Sequence, residues 1–349
     1  MTDLEEIASF FKQATLGDIG NSFYPTLVET ELVNEADIES GEEEVLLADP
    51  VLAEAQQFAA PQRFVDLAAI DTGTILIGST ERGVIIAIKG AIIAQRGDCH
   101  SLTKLGPRLI YISKENEVAI LESIGVGLGN RSMFIETDKE GVKSPKTPSA
   151  SLKRIQDRIR NYIERKLQRL AVSQIESGIV LFDGALFAME WDTPLPFLQS
   201  TRDLAFEKGN SIVGICKRSD LQVDGVNVAY LLRETQEPCF RRIEQNEQGI
   251  YSRGIGETFA ARYGPGGFSF RTDVCPYIVT SAEILNRLYS SALMTLGYPV
   301  LLKLAHIHSV FTKREVVELQ VLAARNYGLT LQRPQDISIL FAPFRRAIQ

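Results

Sequence analysis

Cysteine is scarce in this 349-residue chain, and the four present (Cys99, Cys216, Cys239, Cys275) are scattered with no CxxC pair among them. That spacing argues against a disulfide framework and against a structural zinc site. Cys216 and Cys275 lie in apolar stretches and read as buried thiols. Histidine is scarcer still: His100, His306 and His308 are the whole supply. Long hydrophobic runs are lacking as well, and nothing approaches the ~18–20 apolar residues of a membrane span. The N-terminal MTDLEEIASFFKQA is acidic and amphipathic, which does not fit a secretory signal and makes a cytoplasmic protein the expectation. No GxSxG, HExxH or Walker-A spacing occurs, so a serine hydrolase, a zincin and a P-loop ATPase are disfavoured.

The composition that remains is that of an ordinary soluble chain, 45% hydrophobic and 23% charged, long enough for one large domain or two smaller ones. The net charge of −7 counts against a nucleic-acid partner when taken alone. Its distribution alters that reading. Residues 29–49 carry nine acids and no base, whereas residues 153–169 carry seven bases against Asp157 and Glu164. The acidity is therefore partly one N-terminal segment, and a local basic channel is compatible with it.

Along the chain, residues 1–18 read as a short helix, and residues 19–60 as an acidic, turn-prone stretch with a helical piece near Asp49–Phe58. Together, residues 1–60 are expected to form an N-terminal helical and acidic arm. From residue 61 to 349 a single α/β domain is expected. Phe64–Ile70, Thr74–Gly78 and Val84–Ala94 read as three strands rich in Ile, Val and Ala, with Leu109–Ser113 and Val118–Glu122 as further candidates. Glycine-rich GVGLGNRS at Gly125–Ser132 lacks the spacing and setting of a dinucleotide loop. After the polar loop at Thr137–Ser151, apolar residues recur at three- and four-residue steps from Ile155 to Ala171, predicting a long amphipathic helix over about Leu152–Ser173. Strands follow at Ile179–Phe182 and Ser211–Cys216, with a helix near 198–208 between them. A glycine-rich hairpin or loop is expected at Arg262–Asp273, and helices at Ser281–Leu296, Leu301–Thr312 and Arg314–Tyr327. Three adjacent antiparallel strands followed by β-α-β crossovers is the order of an RNase H-like core, a mixed sheet with flanking helices.

Two short motifs carry the chemistry. AAIDTG (Ala68–Gly73) and VLFDGAL (Val180–Leu186) each end an apolar, β-prone run in an aspartate followed at once or one residue later by glycine. In the expected topology the two strands are neighbours, so Asp71 and Asp183 would meet. Converging carboxylates suit a divalent metal engaged in phosphoryl chemistry. The plain alternative is that both are Asx-type turn residues. The long helix offers a third carboxylate in Glu164, with Asp157 and Glu176 behind it; the alternative for Glu164 is a solvated helix charge beside Arg160 or Gln168. AHIHS (Ala305–Ser309) places two histidines about 200° apart on a helix, so His306 is the candidate ligand or general base and His308 points outward. Lys217 and Arg218 end the strand in VGICKRSD (Val213–Asp220), where a lysine can bind a scissile phosphate or orient a water. Arg158 and Arg165 on the basic helix are candidate DNA contacts, the alternative being a solvated helix face.

AAIDTG, IVLFDGAL (Ile179–Leu186), VGICKRS (Val213–Ser219) and GYPVLLKLAH (Gly297–His306), in this order, resemble the NurA nuclease family over roughly residues 61–315. The resemblance implies an RNase H-like core, a manganese- or magnesium-dependent deoxyribonuclease acting on broken DNA ends, a homodimer, and a HerA-like hexameric ATPase as partner. It matches Asp71 to the family's first metal-binding aspartate, Asp183 to its DG aspartate and His306 to the histidine after the GYP turn. It places the family's glutamate on the helix before the DG motif, here Glu164. Two other classes compete with the nuclease: a non-catalytic DNA-end clamp, and an unrelated enzyme in which the Asp-Gly pairs are only turns.

Overall fold

Isoleucine, valine and alanine dominate residues 67–96, and there the backbone runs straight through a turn that the sequence suggested. A computed structural model describes residues 2–13, 19–26, 32–33, 51–59, 64–124, 135–137, 143–145, 148–188, 194–244, 254–265 and 268–332. Most of the acidic segment 29–49 and the glycine-rich 125–132 lie outside the described residues. The first two expected strands are one, β2 (Leu67–Thr80), following a short β1 (Ser22–Pro25). Gly73 does not turn the chain: a Cβ there would stand 2.2 Å from the Ser309 carbonyl oxygen, so glycine is required for a helix to approach the strand. β3 (Gly83–Arg96) and β4 (Cys99–Ser113) continue an antiparallel meander with β2.

Val118–Glu122, expected as a strand, lies in helix α2 (Glu117–Ser123), which buries Ile120 and Leu121. A short apolar run carries too few residues for periodicity to separate the two forms. The expected helical piece at Asp49–Phe58 is replaced by two-residue strands, Val51–Leu52 and Gln56–Gln57, against the sheet edge at β7 (Cys239–Glu244). The long helix α3 spans Pro148–Gln174. Beyond it come β5 (Ile179–Asp183), α4 (Leu195–Glu207), β6 (Ser211–Cys216), β8 (Glu257–Arg262) and β9 (Phe270–Cys275). The chain closes with α5 (Ser281–Ser291), α6 (Val300–Ser309), α7 (Lys313–Asn326) and β10 (Thr330–Leu331).

These strands form one mixed sheet. β2 pairs antiparallel with β3, and β5 and β6 run parallel to β2. β9, β8 and β7 follow antiparallel. This is the mixed sheet with flanking helices that the order of elements implies. On one face Ile155, Ile159, Ile163, Leu167 and Ala171 of α3 pack on Ala68, Ile70, Ile86, Ile88 and Ile92. On the other, α5 and α6 set Leu285, Leu288, Leu301, Leu302 and Ala305 against Leu67, Ala69, Leu181 and Val213. Each leucine, isoleucine or valine among them contributes roughly 1.5–3 kcal/mol when fully buried.

The expected arm supplies α1 (Asp3–Gln13) to the α3 face. Ile7 and Phe10 are buried there, and Phe10 lies 5.6 Å from the Tyr162 ring. Asp3 and Glu6 pair with Lys166, and Asp3 also pairs with Arg169 at 3.2 Å. Two of the seven bases of the helix thus hold α1 in place. Among the described residues no helix is long and apolar enough to cross a membrane.

The edge of β2 is shared. β5 covers its start, ending at Leu181↔Ala69, and β1 covers its end, beginning at Pro25↔Gly78. The stretch from Asp71 onward lies in the fork between them, and the site is built there.

Candidate active site

Alternation along β2 and β5 puts Asp71 with Leu67 and Ala69, and Asp183 with Ile179 and Leu181, on the face covered by α6. Both aspartates lie two residues past the last β2–β5 pair, where the parallel ladder has ended. Such strand ends are where open sheets present side chains to a ligand. Gly184 follows in the left-handed region at φ 116°, which glycine adopts without cost, and its amide donates to Ile215 O at 3.1 Å. The chain is thereby turned immediately after Asp183.

Asp71 is held from α6. His306 Nδ1 lies 2.9 Å from Asp71 Oδ2, and the Ser309 hydroxyl donates to the same oxygen at 2.6 Å. An ionised carboxylate can only accept, so the proton between the two groups lies on Nδ1, and Nε2 is the nitrogen that faces away from Asp71. Burial drives Asp71 upward, but the hydrogen bonds from His306 and Ser309, with the charges of His306 and Lys217, outweigh it and hold the carboxyl below its ordinary range. Asp183 has different company. Lys217 Nζ lies 2.5 Å from Oδ2, and Tyr298 Oη donates to Oδ1 at 3.1 Å. Burial and the charge of Asp71 push Asp183 above its ordinary range against the pull of Lys217. Burial and then Asp183 keep the Tyr298 phenol protonated.

Glu164 enters from α3, on the opposite face. It is within electrostatic reach of both aspartates: burial pushes its carboxyl up to about 7, with Asp71 and Asp183 adding to the rise and Arg160 and Arg165 opposing it. The fork in the sheet lets the two layers of helices address the same pair of aspartates. Of the alternative helix carboxylates, Glu176 pairs at the surface with Lys208 at 3.2 Å. Arg158 and Arg165 are half-buried rather than fully solvated, and Arg165 lies 5.7 Å from the Phe197 ring centroid. Arg218 is exposed beside Lys217. His308 is half-buried, and burial, then Lys104 and Lys89, lower its pKa.

The motifs contained more than the aspartates and histidine singled out from them. Tyr298 belongs to the GYP turn and Ser309 to AHIHS, and both touch site carboxylates. Asp273 on β9 was not expected at all. It is buried, accepts from the Leu186 amide at 2.9 Å and the Thr258 hydroxyl at 2.9 Å, and pairs with Arg271 at 3.1 Å. It fixes the strand of chain that leaves the Asp183 turn. The available signal was an acid two residues after an arginine in the β-prone stretch FSFRTDVC.

Asp71, Asp183 and Glu164 offer hard oxygen donors with an imidazole alongside, a set suited to magnesium or manganese. Burial first, and then neighbouring carboxylates, raise Glu164 and Asp183, and a divalent cation beside them would oppose that rise. Among the described residues no three His, Cys, Asp or Glu side chains stand as close as a preformed cation cage requires.

A sequence profile of the NurA domain matches residues 65–311, a span that includes all the site residues above. The chain belongs to the NurA family. Among solved structures it is similar to the NurA nuclease from Sulfolobus solfataricus, with 14% identity, 78% of this chain and 88% of that chain covered, and a TM-score of 0.49. A NurA crystallised with manganese gives 12% identity, coverage of 78% and 92%, and a TM-score of 0.44. Endonuclease V from Bacillus subtilis gives 12% identity, coverage of 77% and 88%, and a TM-score of 0.32. No curated protein matches the chain in sequence.

Proposed function

We propose that this chain is a metal-dependent deoxyribonuclease that hydrolyses DNA phosphodiesters. One observation carries the reading: two aspartates from neighbouring parallel strands sit in a fork of the sheet, held by a histidine, a lysine and a tyrosine, with the carboxyl of Glu164 within electrostatic range from the opposite face. Membership of the NurA family supports it.

In the reaction a water oxygen bonds to phosphorus, the bond from phosphorus to the leaving sugar oxygen breaks, the water gives up a proton and the leaving oxygen gains one. Asp71, Asp183 and Glu164 would hold manganese or magnesium, with His306 as a further ligand or as the base. When bound, the metal polarises the phosphate and lowers the pKa of a coordinated water. Asp71 sets the tautomer and orientation of His306, so that Nε2 is the nitrogen able to take a proton. Lys217 supplies a positive charge beside Asp183 that the phosphate can share as charge builds in the transition state. Tyr298 and Ser309 fix the two aspartates, and Asp273 fixes the turn that presents Asp183. Arg158, Arg165 and Arg218 are assigned to the DNA backbone. The setting proposed is cytoplasmic processing of double-strand breaks as a homodimer with a HerA-like hexameric ATPase.

The test is cleavage of linear and single-stranded DNA. Wild type should cut with manganese or magnesium and stop with chelator. Asp71→Asn and Asp183→Asn should each lower the rate by about a hundredfold or more, the scale of losing a charge-stabilising group, with melting curves nearly unchanged. DNA binding without cleavage under any divalent ion would favour a non-catalytic clamp instead.

A further inference from the structure

Two pairs of aromatic rings, joined by the short stretch Phe268–Phe270, run on from the carboxylates. Tyr298, hydrogen-bonded to Asp183, lies 5.5 Å from the Phe270 ring. Phe268 precedes Phe270 by two residues, and its ring meets Tyr230 at 6.2 Å, nearly edge to face at 73°. The inner members are buried or half-buried, but the outer two are open: Phe268 is 61% exposed and Tyr230 51%. Two large rings in contact with each other and both open to water make a contiguous exposed apolar patch, the kind of surface that marks an interaction site. The hairpin that carries Tyr298 adds a third apolar group. Leu296 sits at its tip, 87% exposed and in the left-handed region at φ 53°. The neighbouring Gly297 is close enough that a Cβ there would touch Phe270, at 3.8 Å. A non-glycine residue held in that conformation with its side chain in water is a strained arrangement of the kind that collects at functional sites. Cations stand at the Tyr298 end: Lys217, 5.8 Å from the Tyr298 ring centroid, and Arg218 next to it in sequence.

We propose that Tyr230 and Phe268 form a stacking platform for unpaired bases, on a single strand whose phosphates pass Lys217 and Arg218 into the carboxylate site. The occupant follows from the chemistry. Every base has a π-face, stacking on aromatic rings is tolerant of sequence, and a backbone-tracking groove beside such rings is how single strands are bound. In a duplex the base faces are already stacked on one another, so paired DNA gains nothing from these rings. The proposal rests on the nuclease reading for its account of what happens to the strand, but not for the binding itself.

The test is fluorescence anisotropy of a labelled oligo-dT and of a blunt duplex, in chelator, across a salt series, beside cleavage of both DNAs by wild type in manganese. The double variant Tyr230→Ala, Phe268→Ala should bind the single strand about tenfold or more weakly. Its slope of log affinity against log salt should match wild type, because stacking releases no counterions. Duplex affinity should stay within about twofold. Tyr230→Phe and Phe268→Trp keep a ring and should keep affinity, whereas Phe268→Leu keeps an apolar side chain without a π-face and should lose it. Unchanged single-strand affinity in the double variant overturns the platform. So does an equal loss on duplex together with a fall in sedimenting mass, which would make this face a contact between two copies of the chain. If wild type cleaves DNA yet the variants bind normally, the platform fails alone. If wild type cleaves nothing yet the double variant loses the single strand selectively, the nuclease reading fails and the platform stands.

Discussion

Glu164 shows how far a residue's chemistry is set by neighbours that its own sequence context does not reveal. Next to Ile163 on an amphipathic helix it looks like an edge charge, and the pattern cannot say what lies across the sheet. In the folded chain burial, with Asp71 and Asp183 adding to it, pushes its carboxyl from an ordinary 4.5 up to about 7. A folded pKa above the unfolded one means that folding favours the protonated form. Stability is therefore full below about pH 4.5, falls as pH rises toward 7, and levels off above. Glu164→Gln removes the ionisation. In chelator it should melt above wild type at pH 8, by an amount on the order of 1 kcal/mol, and the difference should vanish below about pH 4.5. Thermal melts at several pH values decide it. A variant that melts below wild type at pH 8 would show that Glu164 is compensated by cations of the chain, Arg160 and Arg165 above all.

At the scale of elements, long periodic segments were readable and short ones were not. α3 declares itself through Ile155, Ile159, Ile163 and Leu167, and the structure extends it only a few residues at its N-terminal end. α2 and the two-residue strands at Val51–Leu52 and Gln56–Gln57 are too short for period to decide, and tertiary pairing chose their form. AAIDTG misled about backbone in an instructive way. An aspartate and a glycine in close succession resemble a turn, but here the chain stays extended, and Gly73 leaves room for the end of α6. That contact carries His306 and Ser309 to Asp71. Gly73→Ala would put a methyl 2.2 Å from a backbone oxygen that no rotamer change can move. The expected cost is about 1–3 kcal/mol, typical of overpacking. Cleavage should fall with it, because α6 must lift away from Asp71. Chemical denaturation and rate measured on the same sample check both parts. Full activity with wild-type stability would show that α6 shifts without disturbing the His306–Asp71 contact.

Across the whole molecule, the neighbouring of β2 and β5 followed from the order of elements, whereas β1, β7 and β8 and the fork that makes the site did not. Period and propensity place β2, β5 and β6 side by side, but nothing in them says that β5 lets go of β2 at Leu181↔Ala69 and that β1 takes up the same edge at Gly78. That pairing depends on residues far apart in the chain: Phe23 of β1 packs in one cluster with Ile75 and Ile77 of β2 and with Val316, Leu319 and Ala323 of α7. The same holds for Asp273, whose partners Leu186 and Thr258 come from two other stretches of chain.

That fork is the centre of the proposed function, in which Asp71, Asp183 and Glu164 would hold a divalent cation for the cleavage of DNA. Anomalous diffraction at the manganese absorption edge, from crystals of wild type and Asp183→Asn grown with manganese, tests this most directly. Wild type should show a peak bounded by the carboxylates of Asp71 and Asp183, and the variant should lose or weaken it. A peak elsewhere on the chain with none between these aspartates, or an undiminished peak in the variant, would contradict the account.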